Sequence, residues 1–308
     1  MVTAWPSDVE WAVVQDNESH SAEWLHSGIA LLDDGRFVTG AVGGGAIVIH
    51  DERTHTATVV PLRLSAAHGV TVARSAQGER LWIADPGPEE GTGQVFEVSL
   101  SGRILSRVPA PLAAEGEWRP TSVVAVADGS ERGVLWIADG YGRNRVYRLT
   151  PDSGADVIDA ADGIPFDCPH GLAVDTRSDP PRLVVADRGN RRIVFLHLDG
   201  SLDRVVADQK LTSPSCIAVR GDHLVVTDLY GAVVTVDPND RVEIRAGYTP
   251  EVGRAGWPNR VVDGEVVPPV LNDRELNSPH GVAVAESGAV YVTEWLLGGR
   301  VVRLDWRR

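Results

Sequence analysis

Three histidines stand in one recurring phrase of this 308-residue chain, each followed by glycine and a short apolar run. They are His68, His170 and His280. A strand-forming run ends on an acid 17 residues after each of the first two and 14 residues after the third. Imidazole nitrogens are ligands that zinc and other divalent transition metals accept readily. If the three side chains meet, they form a metal site with one coordination position open.

The phrase belongs to a larger repeat that occurs six times and must position the histidines. Each copy has an apolar strand, a polar turn, a second strand, a small-residue loop and a third strand rich in valine and arginine. The second strand ends near an acid in every copy except the first, whose loop is glycine-rich. The copies open at residues 27, 68, 120, 170, 214 and 280. Repeats of about 45 residues with three or four short strands predict an all-β fold, a six-bladed β-propeller. The strand at residues 9–14 has no repeat of its own, and we expect it to join the C-terminal blade and close the ring.

Since the six repeats share one ring, we expect a single domain over residues 1–308. One connection, around residues 237–278, is far longer than the roughly 4–6 residues common in compact domains. It contains Tyr248 and Trp257. Part of it must be the outer strand of the fifth blade, and the remainder is either a lid over the channel or a packed surface loop.

The three histidines fall on the second, fourth and sixth repeats, and therefore on alternate blades. In a six-fold ring these blades stand about 120° apart, and the opening strand of each blade lies beside the central channel. We therefore predict that His68, His170 and His280 form a triangle that holds Zn²⁺ or another divalent transition metal. The alternative is that each histidine only caps a turn. The odd repeats carry Ser27, Thr121 and Ser215 at the same position, and His26 precedes the first of these.

Residues that follow each repeat's acid are expected at the same mouth as the histidines, because the antiparallel second strand ends where the first begins. Tyr141 follows Asp139 by two residues, and Arg188 follows Asp187 directly. Beside a metal, a tyrosine can transfer a proton and an arginine can hold an oxyanion or a carboxylate. The alternative for each is packing on its own blade or pairing with a neighbouring acid. We predict Tyr141 and Arg188 as catalytic residues, and as substrate-binding residues Tyr230, Trp295 and His26.

Composition limits the partners and the compartment. A net charge of −14 with a single lysine, Lys210, argues against nucleic acid or an anionic membrane as partner. No apolar run approaches the ~20 residues of a membrane span, and the first residues do not read as a secretion signal. We expect a cytoplasmic protein that binds a small molecule, with its oligomeric state left open. Four further histidines are expected to be exposed strand or turn residues: His50, His55, His197 and His223.

The repeat phrases Gly-Val-Ala-Val, Ile-Ala-Asp and Asn-Arg-Val resemble NHL repeats. The set His68, Tyr141, His170, Arg188 and His280 resembles the lyase domain of the peptidylglycine α-amidating enzymes, over roughly residues 25–305, most specifically at 139–145, 168–172 and 185–188. The resemblance implies a six-bladed propeller whose three histidines hold zinc. It implies cleavage of a carbinolamide C–N bond to give an amide and glyoxylate. In that reaction Tyr141 would act on the substrate hydroxyl, and Arg188 would stabilise the developing oxyanion.

The chain departs from that family at three places. Residues 40–43 replace a first-blade arginine, Ser278 replaces a methionine, and Gly281 replaces an aspartate that helps to hold a structural calcium. The family's disulfides and secretion signal are also missing. The resemblance therefore supports the transition metal and the tyrosine–arginine pair, but not recognition of the glyoxylate end and not a structural Ca²⁺.

The expected function is a metal-dependent lyase that acts on a small hydroxylated substrate through a metal-bound alkoxide. Two alternatives stay open. One is a related isomerase or dehydratase in a biosynthetic pathway, and the other is a non-catalytic NHL-type propeller that binds a protein. A hydrolase similar to gluconolactonase or regucalcin is disfavoured, because the metal sites of those propellers rely on carboxylate and amide oxygens.

Overall fold

Six four-stranded antiparallel sheets make up the ring, and five of them are simple meanders of four consecutive strands. The computed structural model describes residues 9–16, 23–75, 78–114, 116–126, 133–150, 154–247, 253–271 and 274–306. This arrangement confirms the predicted all-β, six-bladed β-propeller. The strands of the first half of the chain are β1 (Val9–Asp16), β2 (Ile29–Leu31), β3 (Phe37–Gly40), β4 (Ala46–Asp51), β5 (Thr56–Pro61), β6 (Gly69–Ser75), β7 (Gly78–Asp85), β8 (Gln94–Ser99), β9 (Ile104–Val108), β10 (Ser122–Val126), β11 (Val134–Asp139), β12 (Arg145–Thr150) and β13 (Gly154–Ile158).

The second half begins with a short hairpin and holds the last three blades. Its strands are β14 (Ala160–Ala161), β15 (Ile164–Pro165), β16 (Pro169–Asp175), β17 (Arg182–Asp187), β18 (Arg192–His197), β19 (Leu202–Ala207), β20 (Pro214–Arg220), β21 (His223–Asp228), β22 (Ala232–Val236), β23 (Val242–Gly247), β24 (Arg260–Val262), β25 (Glu265–Val267), β26 (Pro279–Val284), β27 (Val290–Glu294) and β28 (Arg300–Trp306). Blades one to five are β2–β5, β6–β9, β10–β13, β16–β19 and β20–β23.

The sixth blade joins the two ends of the chain. Its strand order is β26-β27-β28-β1, and β1 pairs antiparallel with β28 from Val9 opposite Trp306 to Asp16 opposite Arg300. The prediction that the N-terminal strand closes the ring is confirmed. Pairing β1 with β28 satisfies the backbone groups that the C-terminal strand would otherwise leave open.

Apolar cores lie between neighbouring blades. Six clusters of buried side chains each draw on two adjacent blades; one packs Val70 and Phe96 of the second blade against Val38 and Ile47 of the first. Because every interface is packed, each blade is fixed relative to its neighbours, and the inner strands around the axis form a rigid frame.

In blades two to six the second strand ends on an acid, which holds the loop that leads into the same blade. In the second blade, Asp85 accepts the backbone N–H groups of Ser65 and Ala66 at 2.9 and 3.1 Å. The fourth and sixth blades repeat the arrangement, with Asp167 N donating to Asp187 at 2.9 Å and Asn277 N donating to Glu294 at 2.5 Å. These bonded residues lie two or three positions before a histidine. The repeat acid therefore fixes the position of the backbone that leads into that histidine.

Two features differ from or refine the sequence expectations. His50 is not exposed: it has 6% exposure, stacks on Phe37 with ring centroids 4.6 Å apart and contacts the Thr39 hydroxyl through Nε2 at 3.1 Å. It lies on β4 where that strand faces the core.

In the long connection, β23 is the outer strand of the fifth blade, and β24 and β25 form a hairpin beyond it. Tyr248 lies outside the described residues. Among the described residues there is no helix with the length and apolarity that crossing a bilayer needs.

Candidate active site

The three repeat histidines meet at the axis. Their ring centroids are 4.6 Å apart for His68 and His170, 4.6 Å for His68 and His280, and 4.9 Å for His170 and His280. All three are buried, with 2–3% exposure. The triangle follows from their placement at the start of the inner strands on alternate blades.

Each of these rings is oriented by the blade that follows it. Nδ1 of His68 lies 2.7 Å from the Thr121 carbonyl oxygen, Nδ1 of His170 lies 2.9 Å from that of Ser215, and Nδ1 of His280 lies 3.1 Å from that of Ser27. A carbonyl oxygen can only accept, so Nδ1 must carry the proton in all three rings. Nε2 then has its lone pair directed to the axis.

The glycine after each histidine allows this close approach. A Cβ on Gly171 would lie 2.4 Å from the Ser215 oxygen, and a Cβ on Gly281 would lie 2.7 Å from the Thr293 hydroxyl. No side chain fits at either position. Gly281 therefore cannot be replaced by an aspartate without moving the strand.

The donor set suits a transition-metal cation. Nε2 of His68 and Nε2 of His280 lie 3.2 Å apart, close to the roughly 3.4 Å edge of a tetrahedron built from ~2.1 Å zinc–nitrogen bonds. Burial lowers the pKa of all three imidazoles well below its usual value, and neighbouring charges lower it further. Metal ligation needs the neutral ring.

His26 joins the group as a fourth ring. Its centroid lies 4.4 Å from that of His68 and 4.9 Å from that of His280. One ligand nitrogen from each of His26, His68 and His280 lies within 4.8 Å of the other two, so this set also could hold a metal. Burial, helped by the charge of Arg188, lowers the pKa of His26 to about 3. The sequence suggested His26 only as a substrate contact, because it lies one residue out of phase with the repeat.

The Tyr141 hydroxyl lies directly above this cluster. It is 3.0 Å from Nε2 of His170, 3.2 Å from Nε2 of His68 and 3.3 Å from Nε2 of His26. Burial raises the pKa of Tyr141, and Arg188 partly opposes that effect. One phenol proton cannot serve three nitrogens, so the cluster offers more acceptors than its own side chains can satisfy.

Arg188 reaches the same hydroxyl from the fourth blade. Its Nη1 donates to the Tyr141 oxygen at 3.4 Å, and its Nη2 donates to Ser215 Oγ at 2.7 Å. Its Nε is buried and has no hydrogen-bond partner in the described part of the chain. Cys168 lies beside the guanidinium, and burial raises the pKa of its thiol. The described contacts of Arg188 thus include hydroxyls and a thiol but no carboxylate, which leaves its charge available to an anionic ligand.

Aromatic side chains extend from the cluster along the mouth. The Trp295 ring lies 5.8 Å from His26 and 5.0 Å from Trp24. Tyr230 lies further out: it contacts Trp257 at 5.5 Å, and Trp257 contacts Trp295 at 6.4 Å. Of the two predicted aromatic contacts, Trp295 borders the histidines and Tyr230 is at the periphery. Trp24 and Trp257 were not predicted as site residues, since neither follows a repeat acid.

Cavities lie on both sides of the histidines. A channel of about 540 Å³ follows the inner strands from the histidines to the opposite face. On the Tyr141 side, an inner cavity of about 240 Å³ is bounded by Trp24, His26 and Tyr141. An outer cavity of about 360 Å³ adjoins it, and Arg119 and Tyr141 line both. We refer to these two spaces as the inner and outer mouth cavities.

Known structures share the fold at low sequence identity. No model of a known protein family matches the chain, and no curated protein sequence matches it. A streptogramin B lyase structure superposes with a TM-score of 0.62 at 16% identity, covering 99% of this chain and 100% of that chain. Virginiamycin B lyase from Staphylococcus aureus gives a TM-score of 0.60 at 13% identity, covering 97% and 100%. A gluconolactonase from Xanthomonas campestris gives 0.63 at 17% identity, covering 99% and 92%. These similarities establish the propeller fold.

Proposed function

We propose that the protein is a metal-dependent lyase that acts on a small hydroxylated substrate, with zinc as the expected metal. The proposed ligands are His68, His170 and His280, because each has its Nδ1–H held by a backbone carbonyl. Such an outer hydrogen bond accompanies nearly all metal-bound histidines. The His26 ring is as close to the rings of His68 and His280 as the His170 ring is. Among the described residues, however, no backbone carbonyl accepts a hydrogen bond from its Nδ1. We assign His26 to the open side of the cluster, where substrate would bind.

The observation that carries the proposal is the position of the Tyr141 hydroxyl. It lies within 3.4 Å of three imidazole nitrogens and of the Arg188 guanidinium. Its raised pKa keeps the phenol protonated at rest. A buried phenol between candidate ligands and a cation is suited to move one proton at the reacting atoms.

For a carbinolamide substrate the atoms balance as follows. The hydroxyl loses its proton and becomes a carbonyl, while the C–N bond breaks and its electron pair leaves with the nitrogen. The nitrogen must gain one proton. Tyr141 can give its phenol proton to the nitrogen and receive the proton of the hydroxyl, so the products are an amide and an aldehyde and the side chain is regenerated. A divalent cation at the histidines would supply the Lewis acidity that lowers the pKa of the hydroxyl.

Arg188 has a separate part in this scheme. Its guanidinium faces the Tyr141 hydroxyl and is fixed by Ser215. As the substrate oxygen loses its proton it becomes negative, and a buried, preoriented guanidinium stabilises that charge. Arg188 therefore lowers the barrier without itself exchanging a proton.

Several independent features support the reaction class. The residues that resemble the amidating lyases are the ones that meet at the axis, and two structural neighbours are named as lyases. The inner mouth cavity of about 240 Å³ suits a small molecule. With a net charge of −14, nucleic acid and anionic membranes are not proposed as partners. A cytoplasmic location belongs to the proposal.

Elemental analysis and one assay test the proposal together. The purified protein should contain a stoichiometric transition metal, or take up zinc, and should release glyoxylate from α-hydroxyhippurate or convert a related hydroxylated substrate. His170→Ala should lose the metal and keep its β-rich circular dichroism, because the ring closes by strand pairing and not at the axis. A wild-type protein that neither contains nor binds a transition metal would remove the lyase proposal.

A further inference from the structure

We infer that Arg119 determines substrate specificity by binding an anionic group of the substrate, a carboxylate, next to Tyr141. This inference deepens the proposed function and takes its reaction from there. The substrate class that follows is a hydroxylated carbon that also bears a carboxylate. In this arrangement Arg188 faces the reacting oxygen and Arg119 holds the acid end.

Arg119 is fixed to the same support as Tyr141. Its backbone N–H donates to Oδ1 of Asp139 at 2.7 Å, and Oδ2 of that carboxylate accepts the N–H of Arg143 at 3.0 Å. Tyr141 lies between Asp139 and Arg143 in the chain. One buried carboxylate thus holds both the start of the Arg119 side chain and the loop that carries Tyr141. Burial raises the pKa of Tyr141, and the charge of Arg119 is near enough to oppose that effect slightly.

The guanidinium of Arg119 has weak partners. Its Nε and Nη1 donate to the carbonyl oxygens of Pro86 and Glu89, both at 3.3 Å. Its described contacts include no carboxylate. Other loop arginines have one: Arg143 lies 3.1 Å from Glu117, and Arg192 lies 2.6 Å from Asp187. A guanidinium binds best to a planar anion that accepts two hydrogen bonds. The Arg119 guanidinium lines the cavity, and its described partners are two carbonyl oxygens.

Arg119 is also the one arginine among the described residues that line the two mouth cavities, and no lysine lines them; His26, the histidine of the inner cavity, is neutral because burial lowers its pKa to about 3. The first-blade loop, with Gly43 and Gly44, lines the inner cavity and brings no charge. The remaining charged side chains on the walls are acids, Glu23 in the inner cavity and Glu89, Glu90 and Glu117 in the outer one. On the walls of these two cavities an anion is therefore repelled by the acids and attracted by Arg119. Arg119 therefore selects an anionic group and also determines where that group binds.

Equilibrium binding tests the inference apart from turnover. Calorimetry on the metal-loaded protein compares hippurate, which has a carboxylate, with hippuramide, which has a neutral amide in its place. The wild type should bind hippurate more tightly. Arg119→Met should weaken hippurate binding roughly 10- to 100-fold, the range of a lost charge-assisted hydrogen bond, and leave hippuramide unchanged. Arg119→Lys should recover part of the difference. The control Arg53→Met, at an exposed arginine that pairs with Asp51 and lines neither cavity, should behave as wild type.

Kinetics separate this inference from the proposed function. If α-hydroxyhippurate is a substrate, Arg119→Met should raise its KM with little change in kcat. The methyl ester of α-hydroxyhippurate has no carboxylate charge, so its KM should be the same in Arg119→Met and in the wild type. Turnover with an unchanged KM in Arg119→Met would overturn the inference and leave the lyase standing. If no turnover is found but hippurate binding depends on Arg119, the inference stands and the lyase proposal is overturned. A wild type that binds hippurate no better than hippuramide also overturns the inference. Metal content and circular dichroism of each variant establish that it is folded.

Discussion

His68 and His280 face each other through Nε2 atoms 3.2 Å apart, and both atoms are acceptors. Their Nδ1 protons are committed to the carbonyl oxygens of Thr121 and Ser27. Two lone pairs at this distance repel unless a cation or a proton lies between them. Burial lowers the pKa of both rings, which disfavours the proton and leaves a metal cation as the better partner.

Removing the metal should therefore destabilise the protein. We expect a chelator to lower the melting temperature and zinc to restore it, because a ligand present at 100 times its Kd adds about 2.7 kcal/mol to the stability of the folded state. Differential scanning fluorimetry with and without chelator measures this. In His280→Ala the chelator should have no effect, whereas the control His223→Ala, a half-buried histidine that pairs with Asp222, should respond as wild type does. Equal melting temperatures for metal-loaded and chelated wild type would contradict the expectation.

Replacing Tyr141 with phenylalanine should separate chemistry from metal binding. Tyr141→Phe removes the hydroxyl that contacts His68, His170 and Arg188. General acid–base groups contribute typically 10²–10⁴-fold, so we expect kcat to fall within about that range while the zinc content stays unchanged. Steady-state kinetics and elemental analysis on one preparation measure both. The control is Tyr291→Phe, whose hydroxyl donates to Glu52 away from the histidines. Full turnover in Tyr141→Phe would refute the role given to Tyr141.

The triangle could be predicted from the sequence because it depends only on the repeat. Six copies predict six blades, and His68, His170 and His280 occupy equivalent positions on alternate copies. Symmetry then brings them to one axis without any knowledge of side-chain contacts. The same reasoning placed Tyr141 and Arg188 at the mouth, since the end of a second strand is also an equivalent position. Ring closure by β1 followed from a strand that had no repeat of its own.

Residues outside the repeat phase could not be predicted in this way. His26 lies one position before the equivalent of His68, and Arg119 precedes the opening strand of a blade without a histidine. Trp257 belongs to the long connection. Their positions depend on how individual loops pack, which the repeat does not specify. His50 was expected to be exposed, but β4 turns it onto Phe37, where an aromatic ring suits the core and its nitrogen finds the Thr39 hydroxyl.

Loss of the Ser215 hydroxyl should affect Arg188 without affecting the metal. Ser215 Oγ accepts from Arg188 Nη2 at 2.7 Å, while the Ser215 carbonyl holds His170. Ser215→Ala removes only the first contact. A hydrogen bond to a charged group contributes about 1.5–3 kcal/mol, so we expect kcat/KM to fall roughly 10- to 100-fold with unchanged zinc content. Loss of zinc from Ser215→Ala, or unchanged kcat/KM, would contradict this division of roles.

The stability of the fold should fall in acid partly because of His50. Burial lowers its pKa from 6.5 to about 4, so the neutral ring is the form that the folded protein favours. In the unfolded chain the ring gains its proton near the ordinary pKa of about 6.5. Between about pH 6 and 4 the unfolded state therefore binds one more proton at this residue, and stability falls by about 1.4 kcal/mol per pH unit from His50 alone. Above about pH 6.5 the contribution is complete.

His50→Gln isolates this contribution, because glutamine does not titrate and can still bond to the Thr39 hydroxyl. Urea unfolding at several pH values gives the free energy of unfolding of both proteins. The other titrating groups are common to both, so they cancel in the difference. We expect the two curves to be parallel above about pH 6.5 and to converge below it, as wild type loses stability faster. Curves that stay parallel down to about pH 4 would mean that His50 does not resist protonation, and its burial on Phe37 would then have to be less complete in solution.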